Sequence, residues 1–289
     1  MKVQKSFVGI AMIIFALFLM TTKDALVKLT GGIYSPVLIV WTQLSFLVVV
    51  YLPYVIWRYG AAAIIPKPFG WQFMRGLFVV TAVGLFYWAI SIIPLADTVA
   101  MAFVSPMIVT ALSPLVLNEK IGLRRWMAVI IGFLGILIVL RPDFEGVRSG
   151  YLIAISAGIF LAFFYLSSRK LADAAPPIPS ATYSAMVGAI ILIPVLPMVW
   201  TPPQPEHFWT ITGFLAFSLV GQTLLVMSFR YAPASTLAPF HYTQILGATL
   251  YGYLFFSDFP DRFTLIGIAV VISCGAYIAY REKRAHQQI

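Results

Sequence analysis

The chain has 289 residues, 61% of them hydrophobic and 10% charged, with a mean hydropathy of +0.94, whereas a soluble domain is about a quarter charged. So few charges cannot furnish a water-facing surface for a chain of this length, which leaves lipid to cover most of it. The net charge of +9 does not point to nucleic acid, because Lys and Arg stand singly or in pairs between apolar runs instead of gathering on one exposed face.

A hydrocarbon core about 30 Å thick needs about 20 apolar residues of helix, and runs of that kind occur ten times along the chain. Lys2 and Lys5 followed by apolar residues 7–20 resemble a signal peptide, but no small-residue cleavage site follows, so the segment is expected to stay as a first span at 6–27. The next four spans are expected at 36–57, 72–92, 95–117 and 123–140, and the last five at 150–168, 179–200, 208–229, 234–256 and 264–280. The runs are continuously apolar and twice the length of a membrane barrel strand, which makes them helices.

The connections are short and rich in proline, as at Pro66, Pro68, Pro202, Pro203 and Pro205, and leave no room for a soluble domain. Counting Lys and Arg with the amino end inside puts fourteen in inner segments and five, Lys23, Lys28, Arg141, Arg148 and Arg262, in outer ones. That bias predicts two cytoplasmic termini. The one cysteine, Cys274, permits neither an intrachain disulfide nor a thiolate zinc site, and no metal or other cofactor is expected.

The halves of the chain are weakly alike. A shift of 139 lays residues 87–120 over 226–259, so that Pro94 falls on Pro233, Leu115 on Leu254, Ser105 on Gln244 and Glu119 on Asp258. Thr21-Thr22-Lys23 likewise resembles Ser167-Ser168-Arg169, and Leu140-Arg141 resembles Tyr280-Arg281. Two units are expected, 1–145 and 146–289, forming one membrane domain. Five spans per unit is odd, so the second unit must enter the membrane from the opposite side.

The stretch from Tyr87-Trp88 through Pro94-Leu95-Ala96-Asp97 to Ser105-Pro106, followed by Asn118-Glu119-Lys120, Gly132 and Gly135, resembles the EamA repeat of the drug/metabolite transporter superfamily. The similarity runs over the whole chain, once per half. The second half departs from the pattern, with Ile245 where the mid-helix proline would stand, Asp258 in place of Glu, and glycines at Gly267 and Gly275. The resemblance implies an all-α integral membrane protein whose ten transmembrane helices form two inverted five-helix repeats. It also implies a secondary carrier, in a bacterial inner or plasma membrane, that moves a small polar or amphipathic metabolite by alternating access. The family carries amino acids, nucleotide-like compounds, vitamins and drugs, so the substrate does not follow from it. A channel or scaffold is the alternative. An intramembrane enzyme is a weaker one, since no nucleophile–base pair, His-Glu-x-x-His motif or phosphate-binding loop is present.

Polar groups inside spans are costly and mark either function or helix–helix hydrogen bonds. In the ninth span His241, Tyr242 and Gln244 form such a cluster, with His241 and Gln244 on one face; in the fourth, Asp97, Met101 and Ser105 share a stripe. Trp41 with Gln43, Tyr87 with Trp88, and Tyr165 are deep enough to line a cavity, although most aromatic residues here are ordinary packing or lipid contacts. Pro106 and Pro239 each remove a helix hydrogen bond and are candidate gates or plain packing bends. Glu119 and Asp258 read as structural acids, holding a loop or pairing with Arg124 or Arg262. Ala128 with Gly132, and Gly267 with Val271, put small surfaces on the fifth and tenth spans, suited to close helix packing or to a homodimer contact through those helices.

Overall fold

The computed structural model describes residues 2–117, 122–140, 148–171, 174–232 and 237–286. Among them the chain is helical throughout, without strands. The first half contributes α1 (Lys2–Leu29), α2 (Pro36–Tyr59), α3 (Phe69–Ile90), α4 (Leu95–Ala102), α5 (Val104–Leu117) and α6 (Leu123–Leu140). The second contributes α7 (Arg148–Lys170), α8 (Pro177–Leu192), the short α9 (Leu196–Val199), α10 (Phe208–Tyr231), α11 (Thr243–Phe256) and α12 (Arg262–His286). Among the described residues, seven helical runs are long and apolar enough to cross a bilayer, α4 with α5 counting as one and α8 with α9 as another, and shorter apolar helices cover Trp126–Ile138 and Arg262–Cys274. Large apolar side chains such as Trp57, Leu115, Leu123, Met198, Trp209 and Leu254 stand exposed on the outside of the bundle. A patch of that extent is tolerable only against lipid, and this is an integral, multi-pass membrane protein.

Local chemistry explains where the helices start and break. Pro36 opens α2 at a position that needs no donor, and the Ser35 hydroxyl accepts the Val37 N–H at 3.3 Å. The helix stops at Gly60, whose φ of 83° suits only glycine. The expected fourth span is two helices, because Pro106 has no N–H to offer the Ala102 carbonyl; α4 ends at Ala102 and α5 restarts at Val104. The ninth run is likewise interrupted. Its Ala238–Tyr242 segment, with Pro239 in its first turn, is a tight 3-10 turn leading into α11.

Packing interleaves the two halves. Helix α1 lies along α10 and α3 along α7; α2 packs on α8, α6 on α12, and α4 on α11. Close approach depends on small residues: a Cβ at Gly135 would sit 2.8 Å from a methyl of Val270 and 3.2 Å from the Gly267 carbonyl oxygen. The small faces of α6 and α12 are thus taken up by each other within one chain. Cys274 belongs to the same contact, buried beside Gly132 and not on an outer surface.

Candidate functional site

Helix α1 continues two residues beyond the expected end of the first span and carries three charged side chains inside the bundle. Lys23 and Asp24 are 6% and 3% exposed. The Lys23 ammonium donates to Asp24 Oδ1 at 2.5 Å and to the Tyr87 hydroxyl at 2.6 Å, and that hydroxyl donates to Gln43 Oε1 at 3.0 Å. Helices α1, α2 and α3 are joined by this chain of bonds. One residue earlier, the Thr22 hydroxyl donates to the Phe18 carbonyl at 2.8 Å, so the Tyr251 hydroxyl, 2.7 Å away, is the donor to Thr22 and ties in α11. Lys28 reaches Asp258 at 3.0 Å and lies 4.8 Å from the centre of the Phe256 ring.

These contacts correct two expectations. Lys23, counted with the outer charges, is buried inside the bundle, where it and Asp24 cancel one another and let the helix run on. Asp258 pairs with Lys28 of α1 and not with Arg262, whose guanidinium lies over Phe263. Glu119, the other structural acid, lies outside the described residues.

A cavity of about 90 Å³ opens between the end of α1, the start of α2 and the start of α10, with Leu26, Leu38, Ile39, Trp200 and Phe214 among its walls. Its innermost ring, Phe214, stands edge-on to Tyr87 with centroids 6.2 Å apart. Leu26 and Val27 lie within a turn of Lys23 and Asp24, so the apolar cavity and the ionic network are neighbours. Trp41 stands behind the wall, edge-on to Trp200 at 6.4 Å.

The remaining candidates are dispersed. Asp97 sits in the first turn of α4, where a helix N-terminus favours an anion, and accepts the Tyr151 hydroxyl at 2.6 Å, holding α4 on α7. Ser105 is 3% exposed, just past the break. Tyr242 is buried and stacks on Phe103 with ring centres 4.8 Å apart, so the break between α4 and α5 touches the turn that precedes α11. His241 and Gln244 are half-buried, and their side chains form no hydrogen bonds among the described residues. Trp88 is 51% exposed and Tyr165 40%, neither of them enclosed by the bundle. Tyr87 and Gln43 are the candidates that the fold joins directly, and they meet around Lys23, counted above with the outer charges, and Asp24, which the sequence did not single out. The signal was present as Lys23-Asp24, adjacent opposite charges followed by the apolar Ala25, Leu26 and Val27.

The profile of the EamA-like transporter family matches this chain twice, over residues 7–141 and 148–281. The chain belongs to that family. Among similar proteins, an S-adenosylmethionine uptake transporter of Rickettsia bellii is 27% identical over 285 residues, covering 96% of this chain and 95% of the other. A riboflavin transporter of Vibrio cholerae is 27% identical over 245 residues, covering 84% and 82%. A pseudopaline exporter of Pseudomonas aeruginosa is 25% identical over 269 residues, covering 92% and 94%. A solved crystal structure matches with a TM-score of 0.66 at 16% identity, over 96% of this chain and 98% of that one, a likeness of fold. This EamA-like transporter therefore resembles, over most of their length, proteins named for quite different small molecules.

Proposed function

We propose that this protein is a secondary carrier in which residues 1–145 and 146–289 are inverted five-helix halves, making ten crossings, that expose a shared site to one side of a bacterial inner membrane and then to the other. The carrying observation is the exchange pattern of the packing. At the shift that aligns the halves, Phe103 falls on Tyr242, and these two equivalent rings stack on each other. The first helix of each half likewise packs on the third helix of the other, α1 on α10 and α7 on α3. A two-fold relation in the membrane plane accounts for both. Such halves can trade conformations, with the interruptions near Pro106 and Pro239 as the bends that allow it. Names of the relatives favour a small metabolite as cargo.

Counterflow separates this carrier from a channel. Proteoliposomes preloaded with an unlabelled substrate should accumulate the labelled one transiently, whereas a channel equilibrates without overshoot. A thermal-shift screen against metabolites supplies the compound, since a ligand bound to the folded state raises its apparent stability. His241→Ala should abolish flux in correctly inserted protein, because an imidazole unpaired in an apolar setting contributes most when substrate or a proton meets it. Gln244→Ala, on the same face, should raise the half-saturating concentration more than it lowers the maximal rate. Unchanged flux in both variants removes that face from the pathway.

The proposed orientation has its own check. In a Cys274→Ala background, a cysteine at Lys67 should resist membrane-impermeant maleimide in intact cells and react after permeabilisation. Labelling from outside would invert the assignment of both termini.

A further inference from the structure

Resting on the carrier reading above, we infer that the Lys23–Asp24 pair is the recognition site for a zwitterionic substrate of the α-amino-acid type, whose apolar or aromatic body lies in the cavity beyond Phe214. The two charges neutralise each other inside the bundle, and each is nearly shut off from solvent. A singly charged ligand would have to take one partner and strand the other in a medium of low polarity, which is heavily unfavourable. A neutral ligand can offer hydrogen bonds to either ion but no charge to replace its partner. A zwitterion exchanges partners: its carboxylate replaces Asp24 on the ammonium of Lys23, its ammonium replaces Lys23 on the carboxylate of Asp24, and no charge is left unpaired.

The geometry suits such an exchange. Adjacent residues on a helix diverge by about 100°, so Lys23 and Asp24 meet only by bending toward each other along the flank of α1. An amino group and a carboxylate on one carbon fit between two ions placed in that way. The Tyr87 hydroxyl, already bonded to Lys23 and Gln43, lies against the place where the new carboxylate would arrive and can turn to donate to it. Next to the ions the cavity is walled by Leu26, Leu38, Ile39, Trp200 and Phe214, a surface that takes an apolar or aromatic body and offers no further ion. The Phe214 ring stands between the two compartments and must turn aside for one molecule to occupy both.

The test is binding to purified protein by calorimetry. The probes are L-methionine, L-tryptophan and S-adenosylmethionine, each with its decarboxylated counterpart; indole-3-propionate, which lacks the amino group; and riboflavin, which is no zwitterion. At least one amino acid should bind, and removing its carboxylate or its amino group should weaken binding at least tenfold. Because Lys23→Met alone is expected to be strongly destabilised, the double variant Lys23→Met/Asp24→Leu, which removes the pair without stranding an ion, should keep the wild-type melting behaviour and lose that binding. Equal binding by the double variant, binding that ignores the carboxylate, or riboflavin as the one ligand would each overturn the assignment. Failure of all probes to bind would overturn it as well. A zwitterion that binds as expected yet shows no counterflow in proteoliposomes would instead overturn the carrier reading and leave the binding site standing.

Discussion

Lys23→Met is expected to destabilise the folded protein by roughly 3–5 kcal/mol, the cost typical of removing one partner from a buried ion pair. The variant leaves Asp24, 3% exposed, without its cationic partner and facing a thioether, with the Tyr87 hydroxyl no longer joined to an ammonium. Asp24→Asn should cost less than Lys23→Met, since an amide still accepts a bond from the ammonium although it cannot balance its charge. The double variant Lys23→Met/Asp24→Leu should return close to wild type, because exchanging a buried pair for packed apolar side chains is often neutral. Thermal unfolding in detergent, followed by the loss of monodisperse protein, distinguishes these four proteins. If Lys23→Met melted like wild type, the pair would have to be open to water in the folded state.

Gly135→Leu should be the second most damaging change, costing about 1–3 kcal/mol through overpacking. Its first carbon would lie 2.8 Å from a Val270 methyl and 3.2 Å from the Gly267 carbonyl oxygen, and the latter is backbone that cannot rotate away. The strain falls on the α6–α12 contact, which joins the last helix of one half to the last of the other. Gly84→Leu is the matched control on a helix face where an added carbon meets nothing within 4 Å. Comparable melting of the two variants would mean that α6 and α12 separate without cost.

Much of the helical layout was readable along the chain. The apolar runs at 36–57, 72–92 and 208–229 fall within a few residues of α2, α3 and α10, because a lipid-spanning helix must satisfy its backbone internally and must be apolar for its whole length. The bend after Ala102 was equally legible, since a proline without an N–H breaks the same bond wherever it stands. The site was less so. His241 and Gln244 stood out as polar residues in an apolar run, and so did Tyr87, but nothing local indicated that Tyr87 would donate to Gln43, 44 positions away. Lys23 was counted with the outer charges because it stands near the end of an apolar run, and only its partners show that it is buried.

What the sequence determined by itself was the class of the molecule: composition requires lipid as solvent, run length requires spanning helices, and the doubled family pattern requires two related halves. Those properties are sums over neighbouring residues, so a linear reading captures them. The tertiary structure alone decided which charges are buried and with whom. Lys28 meets Asp258, 230 residues distant, and Phe103 meets Tyr242 across the two halves. In a bilayer the energy of an ion depends on the group opposite it far more than on its neighbours along the chain, and that group is brought there only by the packing of the helices.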